Sequence, residues 1–116
     1  MSKYTIFHNP RCSKSRQTLQ ILKDNGCDIK VFLYLETTID QSFLEGIIKK
    51  ISLSPRDLLR KGEQEFKDND LKNKNLSDLE IIEFMVKYPK LIERPIVIKG
   101  DQAILGRPPE NVLELI

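Results

Sequence analysis

The sequence is poor in the residues that would make it a metal protein or a disulfide scaffold. It has one histidine and two cysteines in 116 residues. Two cysteines do not build a disulfide framework, their spacing is no metal signature, and a single histidine leaves no Cys/His zinc site, so no metal is expected. No apolar run approaches the ~20 residues that span a bilayer, so no membrane partner is expected. Residues 4–7 are too short for the apolar core of a signal peptide. Neither sign of charge dominates: 19 basic residues face 17 acidic ones, interspersed rather than in blocks, for a net charge of +2. That balance argues against nucleic acid as a partner. There are no repeats and no low-complexity segment. With 40% hydrophobic and 31% charged residues, the composition is that of an ordinary globular protein. The expectation is a single domain over residues 1–116, large enough for its own core, cytoplasmic, with reduced thiols.

Taken in order, residues 3–7 read as a strand, and Asn9-Pro10 turns the chain. A helix is predicted over 13–25, with Leu19 and Leu22 on its apolar side and Gly26 as its stop. Residues 29–34 form a second strand, which completes a βαβ unit with parallel strands. Phe43, Leu44, Ile47, Ile48 and Ile51 lie at helical spacing and predict a helix from about residue 39. Ser54-Pro55-Arg56-Asp57 reads as the start of another helix, ending near Gly62. Residues 62–76 are polar and predict a loop with a short helix near 65–68. Ser77 and Glu80 form a capping box for a helix that stops before Pro89. Residues 96–98 and 102–105 predict an antiparallel hairpin turning at Gly100-Asp101. A short final helix over 110–115 follows Pro109.

The order β-α-β, helical block, β-β-α fits an α/β fold with a mixed four-stranded sheet. This is the thioredoxin-like arrangement, with a core of residues 1–36 and 90–116 and a helical insertion at 37–89.

The chemistry centres on His8-Asn9-Pro10-Arg11-Cys12-Ser13-Lys14-Ser15-Arg16. Cys12 stands at the entrance to the first helix. Unpaired backbone N–H groups and a partial positive charge at a helix N-terminus favour a thiolate or a bound oxyanion. Arg11, Lys14 and Arg16 add positive charge nearby. His8 is a candidate general base or electrostatic partner. Elsewhere, Arg60, Arg94 and Arg107 stand out by context, and guanidinium groups pair bidentately with oxyanions. Arg94 and Arg107 flank adjacent hairpin strands and should meet in space. Cys27 lies beyond the far end of the first helix, roughly 20 Å from Cys12 at about 1.5 Å per residue. A disulfide needs Cα atoms within about 7 Å, so Cys27 reads as structural. The third residue after Cys12 is Ser15, so there is no Cys-x-x-Cys pair. Any redox chemistry at Cys12 needs a thiol from outside.

These residues resemble the active-site loop of the glutaredoxin-coupled arsenate reductase family, the ArsC type. The resemblance continues through Tyr34-Leu35-Glu36-Thr37, Leu58-Leu59-Arg60-Lys61, Glu93-Arg94-Pro95-Ile96-Val97 and Gly106-Arg107-Pro108-Pro109-Glu110. It looks closest to the short, YfgD-like branch. The resemblance implies that Cys12 attacks arsenate to give a cysteine thioarsenate. It implies that Arg60, Arg94 and Arg107 hold the oxyanion, that His8 and Ser15 help keep the thiolate, and that Pro95 is the cis-proline beside the cysteine. Glutathione would be the co-substrate and glutaredoxin the partner, with no bound cofactor. The sequence departs from the family's best-studied members at Ser13 and Lys14, where those have glycine and threonine, which predicts an anion pocket that is tighter or more cationic. Two rival readings are a general glutathione-linked thiol oxidoreductase and an Spx-like regulatory protein that binds RNA polymerase. Ser15 in place of a second cysteine argues against a redox switch of the Spx design.

Overall fold

The computed structural model describes residues 3–116. Its strands are β1 (Lys3–Phe7), β2 (Asp28–Phe32), β3 (Ile96–Lys99) and β4 (Gln102–Leu105). Its α-helices are α1 (Ser13–Asp24), α2 (Gln41–Ile51), α3 (Gln64–Asp68) and α4 (Asp78–Lys87). Single turns of 3-10 helix occupy Pro55–Leu58 and Pro89–Leu91, and a longer one, Pro109–Leu115, ends the chain. The chain divides into two compact units: Met1–Thr37 with Arg94–Ile116, and Thr38–Glu93.

The first unit holds a four-stranded sheet in the order β2-β1-β3-β4. β1 pairs parallel with β2 and antiparallel with β3, and β3 pairs antiparallel with β4. This is the mixed sheet of a thioredoxin-like fold. Tyr4 and Ile6, two residues apart on β1, lie on one face of the sheet by strand alternation. They pack with Leu22 of α1, Val97 of β3, and Val112 and Leu115 of the last 3-10 helix. Full burial of each such side chain is worth about 1.5–3 kcal/mol. Cys27 packs against this cluster, half-buried. Phe7 stacks on Tyr34 at 5.8 Å between ring centroids and lies tilted on Phe32 at 4.8 Å. The β3–β4 hairpin closes through Gly100-Asp101, where Gly100 has φ +57°, a conformation that costs glycine little.

α1 differs from its predicted face. Its buried residues are Ser15, Thr18 and Leu22, while Leu19 is only half-buried against the core. The stripe at i, i+3 and i+7 is thus polar over its first half. β2 ends at Phe32, two residues short of the prediction, because Tyr34 N–H turns back to the Phe32 carbonyl and Glu36 N–H to that of Leu33.

The second unit is helical. α2 buries Leu44, Ile47, Ile48 and Ile51, α4 buries Ile81, Ile82 and Met85, and the two helices pack together. α2 begins at Gln41, later than predicted, because Asp40 caps it by accepting from Ser42 N–H at 2.8 Å. The capping box of α4 is formed as predicted, with Glu80 N–H donating to Ser77 and Ser77 N–H to the Glu80 carboxylate.

The predicted helix at Pro55 is only a 3-10 turn. Its capping box, Ser54 with Asp57, is present. After Leu58 the backbone leaves the helix because Leu59 pairs with Ile92 in an antiparallel bridge. Arg60 N–H then donates to Leu91 O at 2.8 Å, and Glu93 N–H to Leu58 O at 2.8 Å. The polar stretch 62–76 is also held. Arg56 donates to the carbonyls of Leu71 and Asn73, at 2.7 and 2.8 Å, and Leu71 is fully buried.

Candidate active site

Cys12 is the N-cap residue of α1, with extended backbone angles and no side-chain cap on the helix. The free N–H groups of the first turn are therefore at the same end of α1 as the residue that carries the thiol. Cys12 is half-buried and free. The loop before it is closed by two internal contacts and tied to the helix by a third. Cys12 N–H donates to Asn9 O at 3.0 Å, Arg11 N–H to Asn9 Oδ1 at 3.0 Å, and the buried Ser15 Oγ accepts from Asn9 N–H at 3.0 Å. The same Ser15 Oγ lies 2.6 Å from His8 Nδ1. With its ring proton on Nε2, His8 accepts the serine hydroxyl proton, and Ser15 still accepts from Asn9. Of the local cations, Arg16 donates from Nη1 to Pro10 O at 2.9 Å, so it braces the loop.

His8 is buried at the C-terminal end of β1, and its N–H continues the parallel pairing by donating to Phe32 O at 3.0 Å. Burial holds its imidazole below the ordinary value of 6.5, and the positive charges of Lys23 and Arg16 push the same way. His8 is therefore neutral in the folded chain under conditions where the unfolded chain protonates it. Its contribution to stability is complete above its ordinary pKa and is lost as pH falls from there towards the folded value. His8→Gln is expected to flatten the fall of the urea midpoint as pH drops below the ordinary histidine value of about 6.5. An unchanged slope would remove His8 as its cause.

Arg94 and Arg107 meet. Arg107 Nη1 donates to Arg94 O at 3.2 Å, across the open end of the β3–β4 hairpin. Arg94 is buried, yet its Nε and Nη1 have no protein partner among the described residues. A guanidinium out of water without a counter-charge is strongly unfavourable. The Arg94–Pro95 bond is cis, as is Arg107–Pro108. The register of β1 against β3 pairs Phe7 with Ile96. His8 leaves the sheet after Phe7 and Pro95 enters before Ile96, so the cysteine loop and Arg94-Pro95 belong to the same end of the sheet. Arg60 belongs to the helical unit. There its side chain pairs with Glu63 and Glu93. Among the described residues no group of His, Cys, Asp and Glu could hold a metal ion. No helix among them is long and apolar enough to cross a membrane.

Three residues that the sequence reading did not single out build this end of the first unit. Gly106 is buried so closely that a Cβ there would lie 2.7 Å from Thr18 Oγ1 and 2.8 Å from Pro95 Cγ. Thr18 is fully buried on α1, with its hydroxyl donating to Lys14 O at 2.9 Å. Asn111 Nδ2 donates to Leu105 O and Arg107 O, at 3.3 and 3.1 Å, and so fixes the Gly106-Arg107 turn. The spacing of Ser15, Thr18 and Leu22 was the available signal for Thr18, whereas hydrophobic periodicity led to Leu19. Asn111→Ala is expected to cost about 1 kcal/mol of stability by freeing that turn. A urea titration checks it, and a wild-type midpoint would contradict the bracing role.

The sequence profile of the ArsC family matches residues 7–115. The chain belongs to the ArsC family. Among its relatives, the uncharacterized protein YfgD of Escherichia coli K12 is 48% identical over 112 residues, covering 96% of this chain and 94% of that protein. An arsenate reductase of Haemophilus influenzae is 42% identical over 112 residues, covering 96% and 97% respectively. Among solved structures, the arsenate reductase from Vibrio cholerae superposes with a TM-score of 0.95 at 41% identity, over 99% of this chain and 98% of that one. Cys12, Arg60, Arg94 and Arg107 all lie within the matched span.

Proposed function

We propose that this chain is an oxidoreductase that reduces arsenate to arsenite in the cytoplasm, with glutathione as co-substrate and glutaredoxin as partner. Cys12 is the nucleophile, Arg60, Arg94 and Arg107 are the oxyanion ligands, and His8 and Ser15 order the loop that carries the thiolate. The observation that carries this reading is the buried Arg94, with donors on Nε and Nη1 that no protein group takes, at the same end of the sheet as the uncapped N-terminus of α1. Both features favour an anion, and an oxyanion bound by both would lie next to the thiol.

The Cys12 thiolate attacks arsenic, an S–As bond forms, and an As–O bond breaks, its oxygen leaving as water once protonated. A glutathione thiolate then attacks Cys12 Sγ. An S–S bond forms and the S–As pair stays on arsenic, which falls from As(V) to As(III) and leaves as arsenite. Glutaredoxin exchanges the Cys12–glutathione disulfide and restores the thiol. Splitting the two-electron reduction into two displacements is the gain of covalent catalysis. The outside thiol is required because Cys27 follows the end of α1 and packs against the core cluster.

The test is NADPH consumption with glutathione, glutaredoxin and glutathione reductase. Turnover that depends on arsenate supports the reading. Turnover on a glutathione mixed disulfide with none on arsenate would replace it with general thiol oxidoreduction.

A further inference from the structure

Lys14 carries a charge that the folded chain does not balance. It is the second residue of α1, two after Cys12, and it is half-buried. Its ammonium makes no hydrogen bond or ion pair among the described residues. No acidic residue occurs anywhere from Lys3 to Lys23, so the first turn of α1 has none. The other cations of the loop are placed differently. Arg11 is exposed in the turn, and Arg16 donates from Nη1 to Pro10 O.

The fold gives Lys14 a side and a direction. Lys14 and Thr18 are four residues apart on α1 and so lie on one side of the helix. Thr18 borders Gly106 and Pro95, since a Cβ on Gly106 would meet Thr18 Oγ1 at 2.7 Å and Pro95 Cγ at 2.8 Å. The side of α1 that carries Lys14 is therefore the side next to the Arg94-Pro95 and Gly106-Arg107 segments. Long side chains on a helix lean back towards its N-terminus. For Lys14 that is the uncapped end that begins at Cys12. The buried Arg94, with Nε and Nη1 unpartnered, belongs to the same end of this unit. Positive charge drawn partly out of water with no acid beside it favours a bound anion.

Lysine adds to that end something the arginines do not. Its ammonium is a compact point charge on a flexible stem, whereas a guanidinium offers a planar fork. It can follow an oxygen of a tetrahedral ion that lies outside the plane of an arginine pair. Coulomb attraction also grows with the charge of the ligand, so a further cation favours a doubly charged ion over a singly charged one of similar shape.

We propose that Lys14 is a further oxyanion-binding residue that makes the site selective for doubly charged tetrahedral oxyanions, a class that includes sulfate and the doubly ionised forms of phosphate and arsenate. This rests on the reading of the Cys12 end of the first unit as an oxyanion site.

The experiment measures protection of Cys12 from iodoacetamide by anions, in a Cys27→Ser background so that Cys12 is the thiol that reports. The half-protecting concentration is determined for sodium sulfate and for sodium methanesulfonate, in which a methyl group replaces one oxygen and one charge is lost. The pH and the ionic strength are held constant, and circular dichroism verifies the fold of each variant. Lys14→Gln is expected to raise the sulfate value about tenfold. It should raise the methanesulfonate value only about threefold, because half the charge gives half the interaction energy and hence the square root of the factor. Lys14→Arg should keep both values within about twofold of wild type. Lys3→Gln removes the same charge at the other end of β1, about 16 Å from His8 along the strand, and should change neither value. Equal factors for the two anions in Lys14→Gln would overturn the charge selection. If Arg94→Lys weakens protection by both anions while Lys14→Gln does no more than Lys3→Gln, the role of Lys14 falls and the oxyanion site stands. If neither anion protects Cys12 in the parent chain, the site and the inference fall together.

Discussion

Cys12→Ser is expected to abolish arsenate-dependent turnover, a loss of at least about a thousandfold. Serine is nearly isosteric with cysteine, but its hydroxyl stays protonated at neutral pH and forms no disulfide with glutathione, so both displacements fail. The substitution also separates chemistry from folding. Cys12 is the N-cap residue of α1 and makes no cap hydrogen bond, whereas serine is among the favoured N-cap residues. The variant should therefore unfold at or above the wild-type urea midpoint while turning over nothing. Cys27→Ser gives the opposite pattern. Cys27 is half-buried against the core cluster of the first unit, so its loss should lower stability modestly and leave turnover within about twofold of wild type. The coupled NADPH assay reads both. Activity retained without Cys12, or lost without Cys27, would reverse the roles assigned to the two thiols.

Gly106→Ala is expected to be the most damaging change that leaves every candidate catalytic and oxyanion-binding residue in place. A methyl group at this position meets Thr18 Oγ1 at 2.7 Å, Pro95 Cγ at 2.8 Å and Thr18 Cγ2 at 3.2 Å. Neither neighbour yields easily. Thr18 is β-branched, fully buried and hydrogen-bonded to Lys14 O, and Pro95 is a buried ring. Overpacking of this kind costs about 1–3 kcal/mol. Relief would move Pro95, and with it Arg94, or move the turn that carries Arg107, because Gly106 N–H donates to Pro95 O at 2.8 Å. Misplaced anion ligands should lower kcat/KM by about tenfold or more, beyond any loss of folded protein. Urea denaturation and the coupled assay, run on the same preparation, separate the two effects. Wild-type stability together with wild-type turnover would show that the packing at Gly106 has room the structure does not contain.

Much of this molecule could be read in the order of its residues. The strands, the two long insertion helices, the Ser77–Glu80 capping box and the Gly100-Asp101 hairpin rest on local signals: apolar periodicity, cap chemistry and a glycine at positive φ. The mixed sheet followed from the order of the elements. The failures share a cause. The segment after Pro55 has a proper helix start, yet it turns into an extended bridge because Leu59 finds Ile92, far along the chain. No local pattern announces such a partner. The α1 face was misjudged because apolar periodicity passes over Ser15 and Thr18. They are buried because the His8-Asn9 loop and the Gly106 turn fold onto them, and those contacts too are long-range in sequence. At the candidate site, the residues proposed to carry chemistry stood out by type and context, and Arg94 does meet Arg107. Their supports, Asn111, Thr18 and Gly106, did not. Nor did the pairing of Arg60 with two carboxylates, one of which depends on the same Leu59–Ile92 bridge.

The most direct measurement of the central claim omits glutaredoxin. The chain is incubated anaerobically with arsenate and glutathione, then digested under acidic, non-reducing conditions and mapped by mass spectrometry. Resolution of the Cys12–glutathione disulfide is blocked in this mixture, so one glutathione should accumulate on Cys12, with arsenite released in step. Neither should form when arsenate is left out. Glutathione on Cys27, glutathione on Cys12 whether or not arsenate is present, or arsenite released from a chain that never carries glutathione would contradict the account.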